Sequence, residues 1–176
     1  MIGPGTGGVL AALPYVAAAL LLVAAWRDIA TRLIPDTICI LLALTGLLAR
    51  ASQGLTEAAV SLGLALGLFL ILLPIAARGA LGGGDVKLAS ALVVGLPPAA
   101  AWDFIFATAL LGGLLGLAYI AGPRFAPAPQ IARPGATLLT RVLQVEFRRL
   151  RRRGPLPYAV AIAAGGMLVL LQPTGG

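Results

Sequence analysis

The sequence predicts an all-α membrane protein, a polytopic bundle of about six transmembrane helices forming one domain over residues 1–176. Three observations lead there. The chain is 60% hydrophobic and 11% charged, with a mean hydropathy of +1.00, far from the balance of a soluble domain. Six apolar stretches follow one another at 7–26, 34–49, 55–77, 86–101, 104–122 and 155–171, most of them close to the ~20 residues a spanning helix needs. Twelve of the thirteen basic residues fall in alternate connections between those stretches or, for Lys87, at the adjoining end of one. Helices are the economical reading, because lipid forces backbone groups to bond internally and no alternating strands of barrel type are present.

The first stretch begins almost at Met1 and lacks the basic region of a secretory signal, so it is read as a retained first span. The second and fourth are short, and start below the interface or tilt little. If six spans alternate, Arg27, Arg32, Arg78, Lys87 and every arginine from Arg124 to Arg153 share one side, and Arg50 alone lies opposite. By the positive-inside rule the crowded side is the cytoplasm, which puts both termini outside. The cytoplasmic side then includes a basic loop at about 123–154. Its four prolines between Pro123 and Pro134 make an irregular connector. Residues 136–153 interleave leucine, valine and Phe147 with arginine, the pattern of an amphipathic helix on an anionic leaflet. Topology therefore accounts for the net charge of +7, and nucleic acid is not an expected partner.

There is no histidine and one cysteine, Cys39, inside the second stretch. That excludes Ser-His-Asp and Cys-His catalysis, zinc sites of the Cys/His type and a disulfide within the chain. Cys39 is read as a packing residue. No metal or other cofactor is expected. Six acidic residues remain, and one stands in Gly82-Gly83-Gly84-Asp85-Val86-Lys87, behind a glycine loop at the foot of an apolar helix. A charge so placed is a functional hypothesis by default. Glycines there leave room, through missing side chains and positive φ, for another backbone to approach. The loop lacks the G-K-[ST] and G-x-G-x-x-G patterns and the βαβ surroundings of a phosphate site.

The second constellation is Arg27-Asp28-Ile29-Ala30-Thr31-Arg32-Leu33-Ile34-Pro35-Asp36. Two crossings separate Asp28 from Asp85, so both face the same side. Two carboxylates within hydrogen-bonding distance do not both ionise: one keeps a proton as acid while the other activates water. This chemistry, of the aspartic-protease type, requires neither histidine nor metal. Asp36, eight residues after Asp28, suits a helix start and is the alternative partner. Lys87 lies two positions from Asp85, roughly 200° round a helix, and is read as snorkelling to the interface. Glu57 and Asp103 fall at outer ends of spans as solvated acids. Glycine pairs at 63/67 and 112/116 allow close helix contact, within the chain or in a dimer.

Asp28 to Asp36 with Ile34-Pro35, the loop from Gly82 to Lys87, and Pro155-Leu156-Pro157-Tyr158-Ala159 followed by Gly165-Gly166 resemble the type IV prepilin peptidase family in order and separation. The resemblance covers nearly the whole chain. It implies an inner-membrane aspartic endopeptidase, Asp28 and Asp85 its catalytic pair, removing the leader from type IV prepilins at the cytoplasmic face. Gly82, Gly83, Gly84, Lys87, Pro35 and Asp36 become candidate substrate contacts. The larger family members carry paired cysteines and methylate the new N-terminus; neither is expected here. The compact form is similar to peptidases of tight-adherence (Flp) pili and to archaeal preflagellin peptidases. Two other classes stay open. A presenilin-like protease shares G-x-G-D, but Arg27 stands before Asp28 and Pro155-Leu156-Pro157 replaces Pro-Ala-Leu. A proton or solute carrier would place its acids nearer mid-membrane. The expected partners are prepilin precursors and membrane lipids; the oligomeric state is not specified.

Overall fold

The computed structural model describes residues 4–121 and 156–172. Among them are six helices and no strand: α1 (Pro4–Thr31), α2 (Asp36–Ala51), α3 (Leu55–Ala77), α4 (Gly83–Val93), α5 (Pro98–Ala121) and α6 (Tyr158–Leu170). The predicted connector at 123–134 and amphipathic stretch at 136–153 lie outside the described residues.

Among the described residues, three helices are long and apolar enough to cross a membrane: Leu10–Thr31 of α1, Leu55–Ala77 and Pro98–Ala121. Their outward faces carry Leu66, Leu70 and Ile71 on α3 and Phe106, Leu110 and Leu114 on α5, all exposed. Apolar exposure on this scale is what lipid contact requires. The 16, 11 and 13 residues of α2, α4 and α6 correspond to about 24, 16 and 20 Å, short of a hydrocarbon core of ~30 Å.

The local chemistry places each boundary. α1 runs one turn past the apolar stretch, so Asp28 lies within its last turn, which Thr31 Oγ1 closes with a bond to the Arg27 carbonyl at 2.8 Å. Arg32 then turns left-handed, at φ 58°, and Pro35 sits extended ahead of α2. Asp36 opens α2, as expected of an acid at a helix start. The turn before α3 needs Gly54, at φ 149°.

Two boundaries correct the sequence reading. The segment from Gly82 to Lys87 is mostly helix: Gly82 precedes α4, while Gly83, Gly84 and Asp85 form its first turn. None of these three glycines has positive φ, so their contribution is space alone. The fourth apolar stretch, read as 86–101, ends at Val93. Gly95 and Leu96 fold back onto the carbonyls of Leu92 and Val93. Pro98 then starts α5, the first helical position being where its missing N–H costs nothing.

α4 is the hub. It packs against α2, α3 and α6, and every residue from Asp85 to Val93 except Lys87 is buried. α1 lies against α2 and α6, and α5 against α6. Small residues let these backbones close up. A Cβ on Gly46 of α2 would sit 2.6 Å from the backbone nitrogen of Gly95, one on Gly165 2.5 Å from Thr108 Oγ1, and one on Gly166 2.6 Å from Leu92 Cδ2. Gly112 is likewise covered within the chain, by the Tyr158 ring, whereas Gly63, Gly67 and Gly116 face open space.

At the end of the bundle away from Asp28 and Asp85, Arg50 is buried. It donates to Ser61 Oγ at 2.9 Å, to Gln53 Oε1 and to Glu57 Oε2, and Ser61 Oγ donates to the Leu96 carbonyl at 3.0 Å. Glu57 is therefore an ion-pair partner, about half exposed, rather than a freely solvated acid. Burial of the arginine inside the turn between its neighbours made the pair, which spacing along the chain did not reveal.

Candidate functional site

Asp28 and Asp85 arrive from different helices. Asp28 stands in the last turn of α1 and is only 6% exposed; Asp85, in the first turn of α4, is 8% exposed. A buried carboxyl needs a hydrogen-bond partner, a neutral form, or both. Asp28 Oδ2 accepts the backbone N–H of Ala159, at 3.3 Å, from the first turn of α6. Asp85 Oδ1 is buried without a hydrogen-bond partner among the described residues, while Oδ2 lies beside Gly82, where a Cβ would come within 2.7 Å of it.

Asp85 precedes the apolar run of α4 and lies outside the three long spans. Burial pushes its carboxyl up to about 7, and the charge of Asp28 acts in the same direction. The Gly82 backbone and the Arg32 guanidinium oppose the rise. The two carboxyls are thus electrostatically coupled, and a proton held at one changes the other.

A cavity of about 150 Å³ opens beside Asp85, walled by Leu68, Leu72, Phe104, Thr108, Tyr158 and Ile162 among others. Thr108 Oγ1 is buried there without a partner among the described residues. A larger groove, about 480 Å³, lies on another side of α4 between α2 and α3, with Cys39, Ser90, Asp36 and Lys87 on its lining. Cys39 is buried and free, a packing residue by its surroundings.

The structure therefore divides the predicted residues into two groups. Asp28, Asp85 and Gly82 meet at one place, with the first turn of α6. Lys87 Nζ binds Asp36 Oδ1 at 2.8 Å, an exposed pair at the mouth of the larger groove. Lys87 is thus directed to Asp36, and Pro35 serves as the residue ahead of α2. Gly84 packs on Ile34, whose side chain a Cβ would meet at 3.3 Å, while Gly83 has no neighbour within 4 Å of such an atom.

Sequence reasoning missed Arg32, Tyr119 and Thr108 as parts of this region. Arg32 donates to Tyr119 Oη at 3.3 Å, joining the α1–α2 connection to α5. A signal existed for Arg32, four residues after Asp28 and so in helical register with it. None existed for Tyr119, which only packing brings near.

The sequence model of the type IV leader peptidase family matches residues 15–117, more than half of the chain. That span includes both aspartates, the Ile34-Pro35 pair and the Gly82–Gly84 run. No curated protein and no solved structure matches the chain. A peptidase family match over the helices that carry both buried carboxyls agrees with the all-helical, lipid-compatible fold, and the chain belongs to the type IV leader peptidase family.

Proposed function

We propose that this protein is an aspartic endopeptidase that removes the leader from type IV, Flp-type prepilins, with Asp28 and Asp85 as its catalytic pair. The observation that carries the reading is the meeting of two buried, electrostatically coupled carboxyls from α1 and α4 at the first turn of α6. The hydrogen bond from Ala159 suits a carboxylate, which can only accept. Asp28 is then the base and Asp85 the acid. Asp28 takes a proton from water as its oxygen bonds to the scissile carbonyl carbon, and Asp85 gives its proton to the carbonyl oxygen. On collapse, the C–N bond breaks, the proton on Asp28 passes to the leaving nitrogen, and Asp85 recovers one from the diol.

The substrate backbone is proposed to pass over Gly83, with Gly82 and Gly84 keeping Asp85 and Ile34 in place around it. Six spans, both termini outside, a cytoplasmic basic loop at about 123–154 and a site at the cytoplasmic face of the inner membrane complete the reading. It is supported by the distribution of basic residues. No methyl transfer is proposed. The short helices α2, α4 and α6 fit this arrangement if the layer thins or if residues outside them extend the crossing.

The test is conversion of a co-expressed prepilin to its mature form. Asp28→Asn and Asp85→Asn should each lower it by at least the ~10²–10⁴-fold that general acid–base catalysis contributes. Full conversion by either variant removes the mechanism. Abolition by Asp36→Asn, with Asp28→Asn active, moves the pairing to Asp36.

A further inference from the structure

Arg32 is the only non-glycine with positive φ among the described residues. A left-handed backbone is cheap for glycine and for asparagine or aspartate, and an arginine there is held by its surroundings. Positive-inside topology does not call for it, since eleven other basic residues lie on the same side by that reading. What the conformation achieves is the placing of a guanidinium. The Arg32 N–H still bonds the Asp28 carbonyl, at 2.9 Å, so the residue stays fixed to the last turn of α1 while its side chain leaves the helix line. Nη2 reaches Tyr119 on α5, itself buried, and Nε and Nη1 are enclosed by protein.

We infer that Arg32 is a positioning residue of the peptidase site: anchored by Tyr119, its guanidinium balances the negative charge that Asp28 and Asp85 share. The inference rests on the proposed aspartic pair. A site with two carboxyls and one proton carries a net negative charge, and burial makes that charge expensive unless a cation is near. Arg32 lies within electrostatic reach of Asp85 and favours its ionised form. Among the described residues the other titratable groups do not supply the cation: Arg27, beside Asp28 in sequence, is exposed. Tyr158 on α6 and Cys39 on α2 are not cations in either protonation state. Lys87 is paired with Asp36. On α3, Glu57 is paired with Arg50 at the far end, and Arg78 is exposed, its Nη1 on the Pro74 carbonyl.

The test is the pH dependence of prepilin cleavage by the full chain in vesicles of phosphatidylethanolamine and phosphatidylglycerol. Removing the guanidinium raises the pH at which the acid loses its proton. Arg32→Gln should therefore move the alkaline limb upward by about one unit, the order of effect an opposite charge has on a carboxyl. Arg32→Lys should hold the limb near its original position. Tyr119→Phe should shift it in the same direction by less, and supplies the profile if Arg32→Gln does not fold or is inactive throughout. A purely structural arginine lowers the rate and leaves the limb where it was. An unmoved limb in both Arg32→Gln and Tyr119→Phe, or in Tyr119→Phe where Arg32→Gln gives no profile, overturns the inference. Asp28→Asn in the same assay separates the cases: if it cleaves, the aspartic pair itself has failed.

Discussion

Asp28 Oδ2 accepts the backbone N–H of Ala159 at 3.3 Å, so a carboxylate in the last turn of α1 meets the first turn of α6. The first N–H groups of a helix have no partner within it. A carboxylate from elsewhere in the chain satisfies one, and the positive end of the helix dipole favours its charge. Asp85 has no such donor on its buried Oδ1 among the described residues. The two acids differ in environment, which is the condition for giving them different roles.

The first prediction is a pH profile. In the proposed mechanism Asp85 serves as acid in its protonated form, and burial moves its proton loss to about 7. Raising the pH through that value should remove the shared proton and with it the activity. Cleavage by the reconstituted protein should fall about tenfold per pH unit above the limb, with an apparent value that belongs to the pair. A rate that stays level to pH 9 rules out Asp85 as the proton donor.

A glycine series should separate two kinds of loss. Gly82→Ala places a methyl 2.7 Å from Asp85 Oδ2 and displaces the carboxyl. Its cost should appear in kcat. Gly83→Ala meets nothing within 4 Å among the described residues. If the substrate backbone passes there, the added methyl crowds substrate alone, and cleavage should drop with thermal stability unchanged. Wild-type kinetics for Gly83→Ala would place the substrate path elsewhere.

The approach of Asp28 to Asp85 was legible in the sequence because few acids competed. With no histidine and six acids, few catalytic side chains remained, and counting crossings put Asp28 and Asp85 on one side. The helix ends were less legible. Trp26 ends the apolar run, yet α1 continues to Thr31, because polar residues at a membrane surface extend a helix as readily as apolar ones. Gly82-Gly83-Gly84 reads as loop by composition, but two of the three are helical, held by α4's packing against its neighbours. Periodicity carried no trace of the Arg50–Glu57 pair or of Tyr119, since both depend on which faces meet.

Stability should respond sharply to the contact between α2 and the turn after α4. Gly46→Ala brings a methyl to 2.6 Å from the Gly95 nitrogen, against backbone that cannot rotate away. Overpacking of this kind costs about 1–3 kcal/mol. Gly63→Ala, with open space around it, should be neutral or slightly stabilising. Thermal unfolding in detergent compares them directly, and equal melting temperatures for the two variants would mean that α2 and α4 do not touch there.

The last prediction concerns topology and needs no substrate. Under six alternating spans, reporters fused after Gly79 or between Pro123 and Pro134 should report cytoplasm, and those after Gln53, Trp102 or Gly176 the outside. Twelve of thirteen basic residues fall on the cytoplasmic side in that threading. The critical segment is α4, whose 11 residues cover about 16 Å, roughly half of the hydrocarbon core. If α4 turns back within the layer instead of crossing, α5 begins on the same side as α4, and a reporter after Trp102 reads cytoplasm while one after Gly79 is unchanged. That outcome is excluded if the packing holds, since Leu96 after α4 meets Ser61 at the Arg50 end while Tyr119 near the end of α5 returns to Arg32; a cytoplasmic reading after Trp102 would overturn the arrangement of α4 and α5. A fusion after Gly79 that reports the outside, with one after Trp26 still reporting cytoplasm, puts the two aspartates on opposite faces. The contact of Asp28 with α6 and its coupling to Asp85 could not then coexist, and the proposed peptidase site would fall with the topology.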